Sequence, residues 1–250
     1  MILKTEGVVL RTFDLRETSL LAVIFSKDHG KIKGVLKGIR KDPRKFGSSL
    51  DRFSVNDIVY YTYRNSDCHL ISQCDMKGFF PQVRRDYRRQ VAAHYMLELV
   101  DKIMPVEEEN EAVYTLVMNY LNSLEERGDV ERLVPMLQIK MLNLSGFRPH
   151  IDACVRCQKR VEGRARFSLK WGGLVCASCP AGDGDLVVVS PGTISSMLYV
   201  EENDWAKSLR LALTARVRRE LQQVLNNFLV YHLEKRVRSA AYLRREPVEL

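Results

Sequence analysis

The sequence has no long apolar run. Its longest, Leu20-Leu-Ala-Val-Ile-Phe25, falls far short of the roughly 20 residues that cross a bilayer. The opening, Met1-Ile-Leu-Lys-Thr-Glu6, lacks the apolar stretch of a signal peptide, so the chain is expected to stay in a reducing cytoplasm. No G-x4-G-K-S/T loop occurs. Gly30, Gly34 and Gly38 do not form one, and nucleoside triphosphate hydrolysis has no support. No serine sits in a G-x-S-x-G elbow. None of His29, His69, His94, His150 and His232 belongs to a metal or triad motif. Glu107, Glu108 and Glu109 precede a helical pattern and read as compensation of its dipole, not as metal-binding carboxylates. These absences point away from catalysis, and no catalytic residue is expected.

What the chain does have is two Cys-x2-Cys pairs, Cys154/Cys157 and Cys176/Cys179, with 18 residues between them. Each pair puts two thiolates on one tight turn, and four such sulfurs match the tetrahedral preference of zinc. Gly172 and Gly173 stand where the chain must bend to bring the second pair back. Four protein ligands leave no open position, so one structural zinc per chain is expected. In a reducing compartment Cys68 and Cys74 are expected to be free thiols.

The net charge is +8, unevenly spread. Residues 1–80 hold 14 Lys and Arg against 9 acids, residues 81–150 hold 9 against 11, and residues 151–250 hold 16 against 11. Two basic regions flanking a near-neutral middle suggest a polyanionic partner.

In chain order, residues 3–80 read as β-rich. Glu6–Arg11, Ser19–Ser26, Lys31–Lys37, Asp57–Tyr63 and Cys68–Ser72 are strand-like, with turn signals at Asp28-His29-Gly30 and Asn65-Ser66-Asp67. Five short strands suit a small closed barrel; pattern alone does not separate an OB-type from an SH3-like one. The loop after the third strand is basic: Lys31 to Lys45 carries seven Lys or Arg and one acid, Asp42. It reads as a phosphate-tracking surface that includes Lys33, Lys37, Arg40, Lys41, Arg44 and Lys45, with Phe46 as a stacking platform. Residues 82–146 read as three helices, the first stopped by Pro105, the second spanning about 110–127, the third 130–144. Arg84, Arg85, Arg88 and Arg89 fall in the first turns of a helix, against its dipole, a placement that a bound polyanion explains. A short helix starts at Ser190-Pro191, and a last, long one is expected over about 207–242.

The runs Gly7-Val-Val-Leu-Arg11 and Leu15-Arg-Glu-Thr-Ser19, then Phe25-Ser-Lys-Asp-His-Gly30, Gly34-Val-Leu-Lys-Gly-Ile-Arg-Lys41 and Leu50-Asp-Arg-Phe53, resemble in order and spacing the RecO family of bacterial DNA-repair and recombination-mediator proteins. Ser26 departs from a common threonine, and Ile39 from a common small residue. The resemblance covers nearly the full chain. It implies an α+β, multidomain architecture: an N-terminal five-stranded OB-type barrel (1–80), then a helical domain (81–250) with an inserted four-cysteine zinc module at about 150–185. It further implies non-catalytic binding and annealing of single- and double-stranded DNA in the RecF pathway, near the nucleoid. The implied partners are RecR, the C-terminal tail of single-strand-binding protein and, indirectly, RecF and RecA. The competing reading is a nucleic-acid-processing enzyme with an accessory zinc module.

Overall fold

Alternating strand patterns at the start of the chain do form a closed sheet. In a computed structural model that describes residues 1–42, 46, 50–63, 66–180, 186–233 and 237–244, β1 (Ile2–Leu15), β2 (Ser19–Ser26), β3 (Gly30–Leu36), β4 (Val55–Tyr61) and β5 (His69–Gly78) close a barrel in the order β1-β2-β3-β5-β4. β1 pairs with both β2 and β4, and β3 and β5 run parallel at Gly34/His69 and Val35/Leu70. This is the five-stranded Greek-key barrel of OB type. β1 spans 14 residues because it serves two neighbours, and an irregularity between Val9 and Arg11 bends it around the barrel.

The period-2 pattern places Ala22, Ile24, Ile32, Leu36, Ile58 and Ile71 inside. Ile39, Phe46 and Leu50, from the long connection after β3, join that core. Phe46 is 5% exposed, so it is a barrel residue and not the stacking platform expected of it. Its ring belongs to the apolar cluster, where burial gains more than exposure in a polar loop. Gly30 takes φ +61°, and a Cβ there would stand 2.1 Å from the Glu108 carbonyl oxygen, so only glycine fits. Ser26 Oγ donates to the Gly30 carbonyl oxygen at 2.8 Å and accepts from His29 N at 3.1 Å, closing the hairpin with a serine hydroxyl.

The chain packs as two compact units, residues 1–126 with 241–250, and residues 127–240. In the first, α1 (Pro81–Arg85), α2 (Tyr87–Ile103) and α3 (Glu111–Glu126) accompany the barrel. Lys31, 8% exposed, donates from Nζ to the Asp101 carbonyl oxygen at 2.6 Å, and Tyr114 Oη donates to Glu6 at 3.0 Å. Residues 82–103 are thus two helices rather than one. Asp86 caps α2, accepting from Arg89 N at 2.9 Å, and its extended backbone breaks the run. The acidic run before α3 does not lie in that helix's first turn, where Glu111 is the acid. Glu107 instead reaches His69 Nε2 at 3.0 Å, and Glu108 lies against Gly30.

The second unit holds α4 (Val130–Leu144), the three-stranded sheet β7-β6-β8 (Ala165–Ser168 is β6, Gly173–Val175 β7, Leu186–Val189 β8), α5 (Pro191–Glu202), a short α6 (Trp205–Ser208) and α7 (Ala215–Leu233). The last helix is therefore not continuous over 207–242. Asp204 caps α6 through Lys207 N at 2.7 Å, Arg132 Nη1 donates to the Leu209 carbonyl at 3.0 Å, and Thr214 starts α7 afresh by accepting from Val217 N at 3.3 Å. Among the described residues no helix is long and apolar enough to cross a membrane.

Candidate nucleic-acid interface and metal centre

On β3 the outward positions alternate with the core: Ile32 and Leu36 are buried, while Lys33 and Val35 are half-buried and Lys37 just beyond is exposed. A turn follows, with Gly38 at φ +77° and Lys41 N and Asp42 N both donating to the Gly38 carbonyl. Arg40 N donates to the Thr18 carbonyl at 3.1 Å, which ties this turn to the β1–β2 hairpin, and the Arg40 guanidinium pairs with Asp14. Lys37 and Lys41 are exposed, and among the described residues neither has an acidic partner. Arg44 and Lys45 lie outside the described residues, as does Asn65 of the expected turn. Lys31, counted with the basic loop on sequence, is buried on Asp101 and leaves that cluster.

The four arginines after the barrel divide. Arg84 and Arg85 sit in the last turn of α1, where positive charge favours the dipole, while Arg88 and Arg89 sit in the first turn of α2. Arg84 donates from Nε to the Phe79 carbonyl at 2.7 Å and from Nη2 to the Arg52 carbonyl at 3.0 Å. Its guanidinium lies over the rings of Phe53 (4.3 Å) and Phe79 (4.1 Å). Burial pushes its pKa below the usual guanidinium range, with Asp51 opposing. Arg89 Nη1 donates to the Leu124 and Glu125 carbonyls at 3.1 and 2.8 Å, capping the end of α3. In return the Glu125 carboxylate accepts from Gln82 N and Val83 N, both at 3.0 Å, capping α1. Arg84 and Arg89 thus satisfy backbone groups and hold α1 and α2 in place. Arg85 and Arg88 present exposed side chains. No spacing pattern separates these two kinds of arginine, because the partners are carbonyls from distant segments.

In the second unit, two knuckles converge. The Sγ atoms of Cys154, Cys157, Cys176 and Cys179 all lie within 4.8 Å of one another, and Cys157 and Cys176 are 3.8 Å apart. Thiolates about 2.3 Å from a tetrahedral ion stand about 3.8 Å from each other. The fold builds this cradle through close backbone approaches. Gly172 takes φ +64°, and a Cβ on Gly173 would meet the His150 carbonyl oxygen at 2.5 Å. Val155 N then donates to the Leu174 carbonyl at 2.8 Å, bringing the first knuckle onto β7. Burial pushes the Cys154 thiol up, but backbone N–H groups, among them Cys176 N (3.3 Å) and Arg156 N (3.4 Å), overcome it and hold the group at about 6. Cys179, hydrogen-bonded among the other three sulfurs, is pushed up to about 12. Four thiols this close cannot all ionise against one another; a cation removes the conflict. Arg166, which sequence reading passed over, donates to the Cys176 and Cys179 carbonyls at 3.1 and 2.7 Å and fixes the second knuckle. An arginine on a strand ten residues before a Cys-x2-Cys knuckle gives no signal until the sheet pairs.

Family models account for both halves of this arrangement. Recombination protein O N terminal matches residues 1–80, and Recombination protein O C terminal matches residues 84–241. Among curated relatives, the DNA repair protein RecO of Syntrophus aciditrophicus is 28% identical over 245 residues, 96% of this chain and 94% of that protein. Those of Pelotomaculum thermopropionicum and Koribacter versatilis are each 30% identical, over 97% and 95% of this chain and 93% and 96% of their own lengths. With an OB-type barrel, helices and a four-cysteine cradle in the matched order, the chain belongs to the RecO family of DNA repair proteins.

Proposed function

We propose that this chain is a non-catalytic, cytoplasmic mediator of recombination that binds and anneals DNA by neutralising phosphates. The observation that carries the reading is the pair of exposed lysines Lys37 and Lys41 on the turn after β3, beside Lys33 and without an acidic partner among the described residues. Arg40 joins them when phosphate displaces the exposed Asp14, since such surface pairs hold by about 0–1 kcal/mol. Arg44, Lys45, Arg85 and Arg88 complete the proposed contact set. Each contact releases condensed counterions, so affinity is dominated by salt and sequence preference is slight. Cations that bind two strands reduce their mutual repulsion, and that is the proposed basis of annealing.

The metal in the cradle is proposed to be zinc, held by Cys154, Cys157, Cys176 and Cys179. When bound it supplies a structural crosslink and neutralises the thiolates; with four protein ligands it offers no open coordination position. Family membership supports RecR, the tail of single-strand-binding protein and, indirectly, RecF and RecA as partners, with loading of RecA on covered single strands as the outcome. Incubation of the pure protein with DNA and magnesium tests the non-catalytic reading: annealing without strand breakage is expected, and sustained cleavage overturns it in favour of a processing enzyme.

A further inference from the structure

The end of the barrel that carries the β2–β3 hairpin holds a cavity of about 670 Å³. The basic turn lies at the other end of β3, a strand of 7 residues whose rise of about 3.3 Å per residue puts the two ends roughly 20 Å apart. The cavity is not built for phosphate. Its walls carry the carboxylates of Asp28 from the hairpin, Asp67 from the segment before β5, and Glu107 and Glu109 from the segment before α3. Among the described residues no lysine or arginine lines it.

Hydrogen bonding says what is missing. Asp28 already accepts from Thr5 Oγ1 at 2.8 Å, and Glu107 meets His69 Nε2 at 3.0 Å. The exposed carboxylates of Asp67 and Glu109 have neither a hydrogen bond nor an ion pair among the described residues. His69 is 6% exposed, and beside a carboxylate acceptor its Nε2 donates. The neutral ring therefore leaves Nδ1 as an acceptor, and this buried nitrogen has no partner. Tyr60 stacks on His69 with ring centroids 5.2 Å apart. Burial, with the Glu107 and Asp28 charges adding to it, pushes the Tyr60 hydroxyl up to about 12. The groups left open are acceptors under a negative potential.

A guanidinium complements such a site: it is a planar fork of N–H donors with no acceptor. An ammonium brings its donors from one point and holds its water more tightly. Tyr63, half-exposed at the wall, supplies a ring for the planar face. Apolar surface beside the cavity points to a protein as the source. Exposed Met1 is tied through its carbonyl to N of the wall residue Thr62 at 3.0 Å, and exposed Val106 directly precedes Glu107. An incoming chain covers these residues and shuts water away from the ion pairs; a small free cation does neither.

We propose that this cavity receives the guanidinium of an arginine side chain, presented by a protein partner that docks on the hairpin end of the barrel. Docking there leaves the basic turn open, so the proposal stands independently of the DNA-binding reading.

The probe is a blocked peptide with one arginine between leucines, titrated into the whole chain by calorimetry, with lysine and citrulline versions alongside. Citrulline keeps the shape and loses the charge. The arginine peptide is expected to bind at a single site, the lysine peptide about tenfold more weakly for one charged hydrogen bond lost, and the citrulline peptide not at all. Asp67→Asn with Glu109→Gln is expected to weaken the arginine peptide by at least about tenfold with thermal unfolding unchanged. Glu17→Gln with Glu126→Gln, exposed acids that do not line the cavity, is expected to change nothing. Equal binding of arginine and lysine peptides, an equal loss in this control, or undiminished binding by the Asp67 and Glu109 variant overturns the site. Absence of arginine-peptide binding at millimolar concentration does the same. Spermidine competing with the peptide at equal concentration assigns the cavity to a soluble cation and overturns the protein partner.

Discussion

Arg84 is the residue at which a role in the fold can be measured apart from the proposed role in DNA binding. Its guanidinium makes two hydrogen bonds, to the Phe79 and Arg52 carbonyls, and lies over two rings. A charged donor contributes roughly 1.5–3 kcal/mol per buried hydrogen bond. Arg84 is only partly buried, so about half of that is retained, or about 2 kcal/mol for the pair. Stacking over the rings adds about 0.5–1 kcal/mol. Arg84→Ala is therefore expected to destabilise the protein by about 2–3 kcal/mol. Arg84→Lys is the sharper variant. An ammonium keeps the charge but cannot bridge two carbonyls while lying flat on a ring, so a loss of about 1–2 kcal/mol is expected. Urea unfolding gives the stability, and the salt dependence of DNA binding measured on the same proteins gives the charge contribution. The account requires Arg84→Lys to shift the unfolding midpoint and to leave the salt slope alone. A lysine variant of wild-type stability, together with an alanine variant of reduced slope, would mean that this arginine serves DNA and that its carbonyl contacts are incidental.

Metal analysis of the purified, reduced protein should find one zinc per chain, and Cys176→Ser should lose it and unfold the knuckles around β6 and β7; protein free of metal with the cradle intact contradicts the assignment. Phe46→Ala should cost about 3–4 kcal/mol of stability as a barrel residue, with DNA affinity per folded molecule unchanged. Glu220 is held at about 2: burial opposes ionisation, but Thr193, Arg216 and Ser190 outweigh it. Because its folded pKa lies below the unfolded value, its contribution is full above about 4.5 and is lost as pH falls toward 2. Glu220→Gln should remove roughly 2 kcal/mol at neutral pH and flatten acid unfolding over that window, as followed by circular dichroism.

The five strands were legible because period-2 alternation directly encodes a half-buried strand, and the cysteine pairs were legible because ligand spacing is local. The resemblance added what spacing could not, including the choice of an OB-type barrel over an SH3-like one, which β1 shared between β2 and β4 bears out. What escaped depends on long-range partners. Phe46 sits in a polar, basic stretch that reads as exposed, yet the barrel interior takes its ring. Lys31 counted as one more loop cation until Asp101, seventy residues away, claimed its ammonium. The break before α7 is made by Arg132 on the Leu209 carbonyl and by caps at Asp204 and Thr214, while the apolar periodicity runs straight through it.

The central claim is that phosphate neutralisation at the turn after β3 drives binding. Replacing Lys37 and Lys41 together with alanine tests it most directly, because both are exposed and neither has an acidic partner among the described residues. Affinity for a single-stranded oligonucleotide is to be measured across a range of salt, with circular dichroism and zinc content as controls. The account predicts a fall in the slope of log affinity against log salt of about 1.4 for the pair, uniform across sequences, with a matching loss of annealing rate. A folded, metal-replete double variant with the wild-type slope contradicts it.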